Sequence, residues 1–295
     1  MPSGGCSHVR SRSALTPMIG RSRFVEADGS RLHVLEYGER AQPALVIVPG
    51  ITSPAATLEF VSLELARDFH VLTMDLRGRG LSDTRTDYAL ADYANDLALT
   101  ISELRLNRPA VLGHSAGARV AAAFGARYPE LRGSLVIADP PLSGPGRSPY
   151  PTSLDAFLEM IRLARSGATS DDLRPFFPSL SEEHLALRLA WLPTCDETAV
   201  TVTHRGFHEE DFFDYWPELG SPVLFLWGGA SPAVNEEAAA EVAAANSAAE
   251  IVCLAQAGHM LPWDDLPGFL AAVRGFLDPT AAHGVPNRVR SGRHA

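Results

Sequence analysis

The chain has 295 residues, of which 46% are hydrophobic and 20% are charged, so it has enough apolar side chains for the core of one large domain. Its formal net charge of -10 argues against a surface that binds nucleic acid or an anionic membrane, and it favours a small molecule as the partner. The three cysteines are odd in number, far apart and without metal-ligand spacing, so we predict neither a disulfide framework nor a zinc site.

The first 20 residues lack the apolar run of a secretory signal. No apolar run elsewhere in the chain reaches the roughly 18 residues of a membrane span. We therefore predict a soluble, cytoplasmic protein, with no membrane partner, whose residues 1–20 form a disordered tail.

Two short runs after this tail predict a β-hairpin. Residues 23–27 and 31–37 alternate apolar and polar side chains, and they flank the turn sequence Asp28-Gly29-Ser30. The pattern then changes to short, nearly all-apolar runs, which are typical of strands buried on both faces of a sheet. These predicted strands are 44–48, 71–74, 110–112, 134–138, 223–227 and 250–254.

Helical stretches separate most of the apolar runs. They lie near 57–67, 90–105, 116–128, 234–245 and 264–277. Such an alternation predicts an α/β fold with a mostly parallel sheet flanked by helices, formed here by residues 21–139 and 218–278.

The alternation is interrupted between the strands 134–138 and 223–227 by about 80 residues, far more than a usual connection. This segment opens with several prolines and glycines and continues with helix-like stretches at 153–165, 181–192 and 196–208. We predict that residues 140–217 form a helical lid over the carboxyl ends of the strands, where open α/β sheets bind ligands. The last residues, 279–295, lack apolar periodicity and predict a second disordered tail.

The pentapeptide Gly113-His-Ser-Ala-Gly117 contains a candidate nucleophile, Ser115. An apolar run, 109–112, precedes it, and a helix-forming run, 118–124, follows it. A G-x-S-x-G sequence between a strand and a helix forms a sharp turn that exposes the serine hydroxyl and directs the helix N-terminus at developing negative charge. This context predicts that Ser115 is a nucleophile.

A serine hydroxyl needs a base that removes its proton. Among the ten histidines we select His259, because it lies on a loop between the last predicted strand and the last predicted helix, at the same edge of the sheet as Ser115. We interpret His114 as a packing residue, and we place His204 and His208 in the lid.

The serine motif and the order of the strands resemble the α/β-hydrolase fold, in which an acid that orients the histidine commonly follows the strand after the lid. In this chain Ser231 stands at that position, and serine cannot carry the negative charge. We predict Asp139, at the end of strand 134–138, as the acid, because neighbouring parallel strands lie about 5 Å apart. Asp264 and Asp265 are the alternatives, although both are expected to cap the last helix.

Two backbone N–H groups are expected to stabilise the tetrahedral intermediate of acyl transfer. The turn around the serine predicts Ala116 as one donor, and the position after Pro49-Gly50, at the end of the first buried strand, predicts Ile51 as the other. The run 75–82 also resembles a signature of the fold, and we interpret it as a structural turn.

Four segments resemble the N-formylmaleamate deformylase family, whose members release formate and maleamate: 50–54, 139–146, 185–195 and 257–265. The resemblance extends over roughly residues 20–277. It implies a triad of Ser115, Asp139 and His259, a formyl-serine intermediate, and a reaction with water that needs neither a metal nor a cofactor.

A small acidic amide as substrate would require a cation in the pocket. We regard Arg188 and His204 in the predicted lid as candidates for this contact, with Arg147 and Arg205 as further candidates. Two other functions fit the same residues, namely a carboxylesterase or lactonase with the same triad and a non-catalytic ligand receptor on the same scaffold. The sequence leaves the oligomeric state open.

Overall fold

The computed structural model describes residues 18–220, 222–278 and 290–291. Ile19 and Gly20 lead into the first strand, and their backbone N–H groups donate to Glu59 Oε1 at 2.8 and 3.1 Å. Apart from residues 18–20 and 290–291, the predicted disordered tails 1–20 and 279–295 lie outside the described part of the chain, as does Cys6, and residues 290–291 form a short strand.

The described residues form one sheet of nine strands in the order β1-β2-β4-β3-β5-β6-β7-β8-β9. The hairpin β1–β2 pairs antiparallel with β4, and all later pairs are parallel, which confirms the predicted mostly parallel sheet. The strands are β1 (Arg21–Ala27), β2 (Ser30–Tyr37), β3 (Ala44–Val48), β4 (His70–Met74), β5 (Ala110–His114), β6 (Leu135–Ala138), β7 (Val223–Gly228), β8 (Glu250–Leu254) and β9 (Arg290–Ser291).

Helices flank the sheet on both faces. They are α1 (Glu59–Leu65), α2 (Leu90–Glu103), α3 (Ala116–Arg127), α4 (Leu154–Ser166), α5 (Ser170–Leu173), α6 (Glu182–Trp191), α7 (Glu197–Glu209), α8 (Glu236–Ala245), α9 (Leu261–Asp264) and α10 (Leu266–Leu277). No described helix is long and apolar enough to cross a membrane.

Alternate side chains of the central strands enter two separate cores, which explains why the strands are apolar throughout. In β3, Val46 and Val48 belong to the core that also contains side chains of helices α2, α3 and α8. Leu45 and Ile47 point to the opposite face and pack with α1 and α10. All four side chains are fully buried.

Two predicted helices differ from the observed ones, and in each case a local signal ends or begins the helix. The stretch predicted as 57–67 begins as a 3₁₀ turn, Ala55–Leu58, before α1. The stretch predicted as 264–277 is divided into α9 and α10, because Asp265 leaves the helical conformation, with φ −147° and ψ 74°, and its carboxylate accepts the backbone N–H of Gly268 as an N-cap.

The lid predicted between β6 and β7 is helical and contains α4 to α7; α5 is a short helix that the sequence did not predict. Its apolar side chains form a third core, which includes Phe157, Ile161 and Phe207. Ile51 and Ala116 of the sheet domain belong to this core as well. The lid therefore rests directly on the loops that follow β3 and β5.

Candidate active site

The candidate site lies where the strand order reverses. After β3 the chain forms β4 on one side of it, and β5 later pairs with its other side. In open parallel sheets such a switch point leaves a crevice beyond the carboxyl ends of the strands. Ile51 follows β3 and Ser115 follows β5, so both residues lie at this crevice.

The turn between β5 and α3 depends on two glycines. A Cβ atom on Gly113 would overlap the carbonyl oxygen of Gly117, and a Cβ atom on Gly117 would overlap the carbonyl oxygen of Val48. The close approach lets the backbone reverse at Ser115, which adopts φ 57° and ψ −121°. A left-handed, strained conformation of a serine is a feature of nucleophile turns of this kind.

Ser115, His259 and Asp139 form a continuous chain of hydrogen bonds. Ser115 Oγ lies 2.9 Å from His259 Nε2, and His259 Nδ1 lies 2.7 Å from Asp139 Oδ2. Asp139 is fully buried, while 17% of the His259 side chain is exposed. A carboxylate accepts only, so Nδ1 carries the proton and Nε2 presents its lone pair to the serine hydroxyl.

Ser231 supports this carboxylate from the neighbouring strand end. Its hydroxyl donates to Asp139 Oδ2 at 2.6 Å, and the backbone N–H of Gly228 donates to Oδ1 at 3.0 Å. Asp139 itself adopts φ 47°, a left-handed conformation that aspartate tolerates better than most residues. Ser231, which stands where the fold commonly has its acid, thus donates a hydrogen bond to the Asp139 carboxylate on the adjacent strand. The sequence did not indicate this role.

The alternative acids have other partners. Asp264 accepts the backbone N–H of Gly258 at 3.0 Å and the hydroxyl of Ser179 at 2.9 Å. Asp265 caps α10, as the sequence predicted. Neither carboxylate hydrogen-bonds to His259 Nδ1.

His114 is buried beneath the site as an uncharged residue. Its Nε2–H donates to the carbonyl oxygen of His259 at 2.8 Å, and its Nδ1 has no hydrogen-bond partner among the described residues. Burial, with a smaller contribution from His259, lowers the pKa of His114 to about 3. The imidazole therefore packs and positions the His259 backbone.

This burial predicts a pH-dependent stability. Since the pKa of His114 falls from 6.5 in the unfolded chain to about 3 in the folded chain, the unfolded state binds more protons between these values, and stability falls as the pH falls. We expect protonation of His114 in the unfolded chain to lower the free energy of unfolding by about 2 kcal/mol between pH 7 and pH 5. Urea unfolding at both pH values should show that loss in the parent protein and not in His114→Asn. Equal losses in both proteins would contradict the assignment.

The predicted oxyanion donors lie next to Ser115. Ala116 begins α3, so its backbone N–H has no partner within the helix. Ile51 follows Gly50, which lies close to the Ser115 side chain. The carbonyl oxygen of Ile51 accepts a hydrogen bond of 3.0 Å from the buried Arg79 Nε. Arg79 belongs to the run 75–82, which here supports the loop after β3.

A cavity of about 220 Å³ opens beside Ser115. Its wall combines apolar side chains with a few polar groups, as small-molecule sites do. The lining residues include Ile51, Ser53, Ser115, Tyr150, Phe157, Phe177, Arg188, His259 and Met260.

Arg188 supplies a buried positive charge to this cavity. It is 2% exposed, lies 4.3 Å from the ring centroid of Phe177, and approaches Ser53 Oγ at 3.4 Å. Among the described residues it forms no ion pair, and its Nε has no hydrogen-bond partner. Burial lowers its pKa to about 10, so the guanidinium remains charged near neutral pH. A buried cation without a counter-ion favours an anionic ligand.

The other predicted cations lie elsewhere. His204 does not line the cavity, and its Nε2–H donates to the Thr152 carbonyl oxygen at 2.9 Å. Arg147 forms ion pairs with Asp211 and Glu241, and Arg205 pairs with Glu209 on an exposed part of α7. Of the four candidates, Arg188 is the residue that reaches the cavity beside Ser115.

Tyr150 is a residue of the site that the sequence did not reveal. Its hydroxyl oxygen lies 3.1 Å from His259 Nε2. Burial, followed by the charge of Asp139, raises the pKa of Tyr150 above its ordinary value of 10. The hydroxyl is therefore a neutral donor at physiological pH.

The described part of the chain contains no cluster of side chains suited to bind a metal ion. No set of three or more His, Cys, Asp or Glu side chains there is arranged to hold a metal ion. Cys195 is a buried thiol and Cys253 a half-buried one, and neither is in a disulfide.

Comparisons with known proteins agree with the observed fold. Residues 45–273 match the alpha/beta hydrolase family. The chain is 41% identical over 256 residues to N-formylmaleamate deformylase of Pseudomonas putida, which covers 86% of this chain and 95% of that protein. The crystal structure of an N-formylmaleamic acid deformylase from Pseudomonas putida S16 matches with a TM-score of 0.82 and 37% identity, over 86% of this chain and 100% of that one.

A more distant relative acts on a different compound. The chain is 28% identical over 276 residues to 2-(acetamidomethylene)succinate hydrolase of Mesorhizobium japonicum, over 87% of this chain and 95% of that protein. The crystal structure of an E-2-(acetamidomethylene)succinate hydrolase matches with a TM-score of 0.74 and 26% identity, over 88% of this chain and 99% of that one.

Proposed function

This chain belongs to the alpha/beta hydrolase family, and on that premise we propose that it is a serine hydrolase that cleaves N-formylmaleamate to formate and maleamate. The observation that carries the proposal is a Ser115–His259–Asp139 hydrogen-bonded chain that opens, through Ser115 and His259, on a cavity lined by Arg188, which has no ion-pair partner among the described residues. The relationship to the Pseudomonas putida deformylase, over most of both chains, supports the same substrate.

Acylation begins at the formyl carbon. His259 Nε2 accepts the proton of Ser115 Oγ as the oxygen attacks the carbonyl carbon, and the N–H groups of Ile51 and Ala116 stabilise the oxyanion. Asp139 stabilises the imidazolium that results. His259 then donates its Nε2 proton to the substrate nitrogen, the carbon–nitrogen bond breaks, and maleamate leaves as a neutral amide with its carboxylate unchanged.

Deacylation repeats the same proton transfers with water. His259 Nε2 accepts a proton from water as the water oxygen attacks the formyl-serine. The second tetrahedral intermediate collapses, His259 returns the proton to Ser115 Oγ, and formic acid leaves and ionises to formate in solution. Both steps use side chains and backbone groups of this chain together with water.

Arg188 is the group that we assign to the substrate carboxylate. N-Formylmaleamate carries one carboxylate, and Arg188 is the one arginine or lysine among the described residues that line the cavity. A carboxylate would satisfy the guanidinium hydrogen bonds that the free protein leaves unmade.

Arg188→Met should weaken substrate binding more than it slows the chemistry. We expect KM for N-formylmaleamate to rise roughly 10- to 100-fold, because one charge-assisted contact is lost, while the methionine keeps much of the apolar packing. Steady-state formate assays would measure the change, with Arg147→Met, which alters a surface ion pair, as the control. An unchanged KM for Arg188→Met would remove the residue from the substrate site.

A direct assay separates this function from its alternatives. Purified protein would be incubated with N-formylmaleamate, with 2-(acetamidomethylene)succinate and with neutral p-nitrophenyl esters, and formate, acetate and p-nitrophenolate would be measured. We expect efficient formate release and slow turnover of the other substrates. Robust ester cleavage without formate would indicate an esterase or lactonase, and tight binding of N-formylmaleamate without turnover would indicate a receptor.

A further inference from the structure

Tyr150 occupies a fixed place between the lid and the candidate triad. It lies between Pro149 and Pro151, whose rings restrict the backbone on both sides of it. Its ring is 7% exposed and packs against Phe157 and Phe207, with centroid distances of 6.4 and 5.1 Å. Packing therefore fixes the ring and points its hydroxyl at the cavity.

Two histidines of α7 hold the same segment. The Tyr150 backbone N–H donates to His208 Nε2 at 3.3 Å, and His208 Nδ1–H in turn donates to the His204 carbonyl oxygen at 3.2 Å. His204 Nε2–H donates to the Thr152 carbonyl oxygen at 2.9 Å. His204, which the sequence suggested as a substrate ligand, thus holds the segment that carries Tyr150 by a hydrogen bond to its backbone.

The hydroxyl of Tyr150 shares its partner with the nucleophile. His259 Nε2 has one lone pair, and both Ser115 Oγ and Tyr150 Oη lie within hydrogen-bond distance of it, at 2.9 and 3.1 Å. Once Nε2 has taken the serine proton, it can no longer accept a hydrogen bond. The Tyr150 hydroxyl then needs another acceptor, and the side chains of Ser115 and Thr152 lie near it together with any substrate bound beside Nε2.

A leaving group bound at His259 Nε2 offers such an acceptor. The imidazolium has to reach the scissile nitrogen, so the leaving half of the substrate lies beside His259 Nε2, while the oxyanion faces Ile51 and Ala116. In a formyl imide the scissile nitrogen is attached to a second carbonyl group. When the carbon–nitrogen bond breaks, its electron pair is shared between this nitrogen and the oxygen of the second carbonyl.

We propose that Tyr150 is a catalytic residue that donates a hydrogen bond to the second carbonyl oxygen of the leaving maleamate and so stabilises the charge that develops there. The assignment rests on the proposed deformylase function. Tyr150 keeps its own proton throughout, and the proton that the leaving nitrogen gains comes from His259.

Tyr150→Phe tests this role with two substrates that form the same formyl-Ser115. N-Formylmaleamate releases maleamate, on which negative charge develops as the carbon–nitrogen bond breaks, whereas p-nitrophenyl formate releases a p-nitrophenolate that is stable without a hydrogen-bond donor. We expect kcat/KM for N-formylmaleamate to fall roughly 10- to 100-fold, and kcat/KM for the ester, corrected for spontaneous hydrolysis, to change less than about threefold. Because kcat/KM reports only the steps up to acylation, a role in deacylation would not imitate this result.

The ester assay also shows whether the variant is folded. Tyr88→Phe, which removes another buried tyrosine hydroxyl away from the Ser115 cavity, should leave both rates unchanged. Equal losses of Tyr150→Phe on both substrates, or no loss on either, would overturn the proposal. Failure of the parent protein to release formate would instead refute the deformylase function itself, so the two failures are distinguishable.

Discussion

Asp139→Asn should lower kcat for formate release by roughly 10³- to 10⁴-fold, although the side chain keeps almost the same shape. The carboxylate accepts the Nδ1 proton of His259 and thereby leaves the Nε2 lone pair facing Ser115. An asparagine that donates its amide protons favours the opposite tautomer, in which Nε2 carries the proton and cannot act as a base. The loss also removes the charge that stabilises the imidazolium.

A second substitution, at Ser231, should restore part of the activity that Asp139→Asn loses. Ser231 stands on the adjacent strand end and donates to the same carboxylate oxygen as His259. Adding Ser231→Asp to Asp139→Asn restores a carboxylate within one strand spacing of the original one, so we expect roughly 10-fold or more of the lost activity to return. Steady-state formate assays would measure the activity of each variant, and thermal melting would measure its folding.

Substitution of the two alternative acids tests the same assignment from the other side. Asp264→Asn and Asp265→Asn should reduce activity much less than Asp139→Asn, since these carboxylates bind backbone N–H groups and the Ser179 hydroxyl. If either of them abolished activity while Asp139→Asn remained active, Asp139 would not be the acid.

Ser115→Ala should eliminate covalent catalysis and reduce kcat by roughly 10⁶-fold. Without the hydroxyl no formyl-enzyme can form, and the oxyanion donors and binding groups alone give only weak catalysis. Substrate binding should persist because Arg188 and the cavity walls are unchanged. Isothermal titration with N-formylmaleamate would then report the affinity of the uncleaved substrate.

The reaction of the parent protein with N-formylmaleamate would be quenched rapidly with acid and analysed by mass spectrometry. We expect one formyl group, carried by the peptide that contains Ser115. Ser102→Ala, which changes an α2 serine that donates only to the Ala98 carbonyl oxygen, is the control and should retain full activity. Retention of activity within tenfold by Ser115→Ala would exclude the serine as the nucleophile.

The local parts of the site could be predicted from the sequence because short segments determine them. The spacing of Gly113, Ser115 and Gly117 between an apolar and a helix-forming run predicts the turn, and the glycines are needed there for contacts that any Cβ atom would break. The apolar runs likewise predict most strands, since both faces of the central strands are buried.

The substrate side of the site could not be predicted in the same way. Arg188 and His204 both occur on lid helices, and no local pattern distinguishes one from the other as a ligand of the substrate. In the structure Arg188 enters the cavity, whereas His204 binds the Thr152 carbonyl oxygen. The choice depends on how the lid helices are rotated about their axes over the sheet, which is decided by packing between residues far apart in the chain.

By itself, the amino-acid sequence determined the alternating α/β architecture, the turn that carries Ser115, and the absence of an aspartate at position 231. Only the tertiary structure decided that His259 and Ser231 bind the same carboxylate oxygen of Asp139, that Tyr150 reaches His259 Nε2, and that Arg188 lies buried without a counter-ion among the described residues. The physical reason is the range of the interactions. Backbone preference and apolar periodicity act within a few residues, whereas hydrogen bonds between strand ends and contacts of the lid join residues that are close only after the chain has folded.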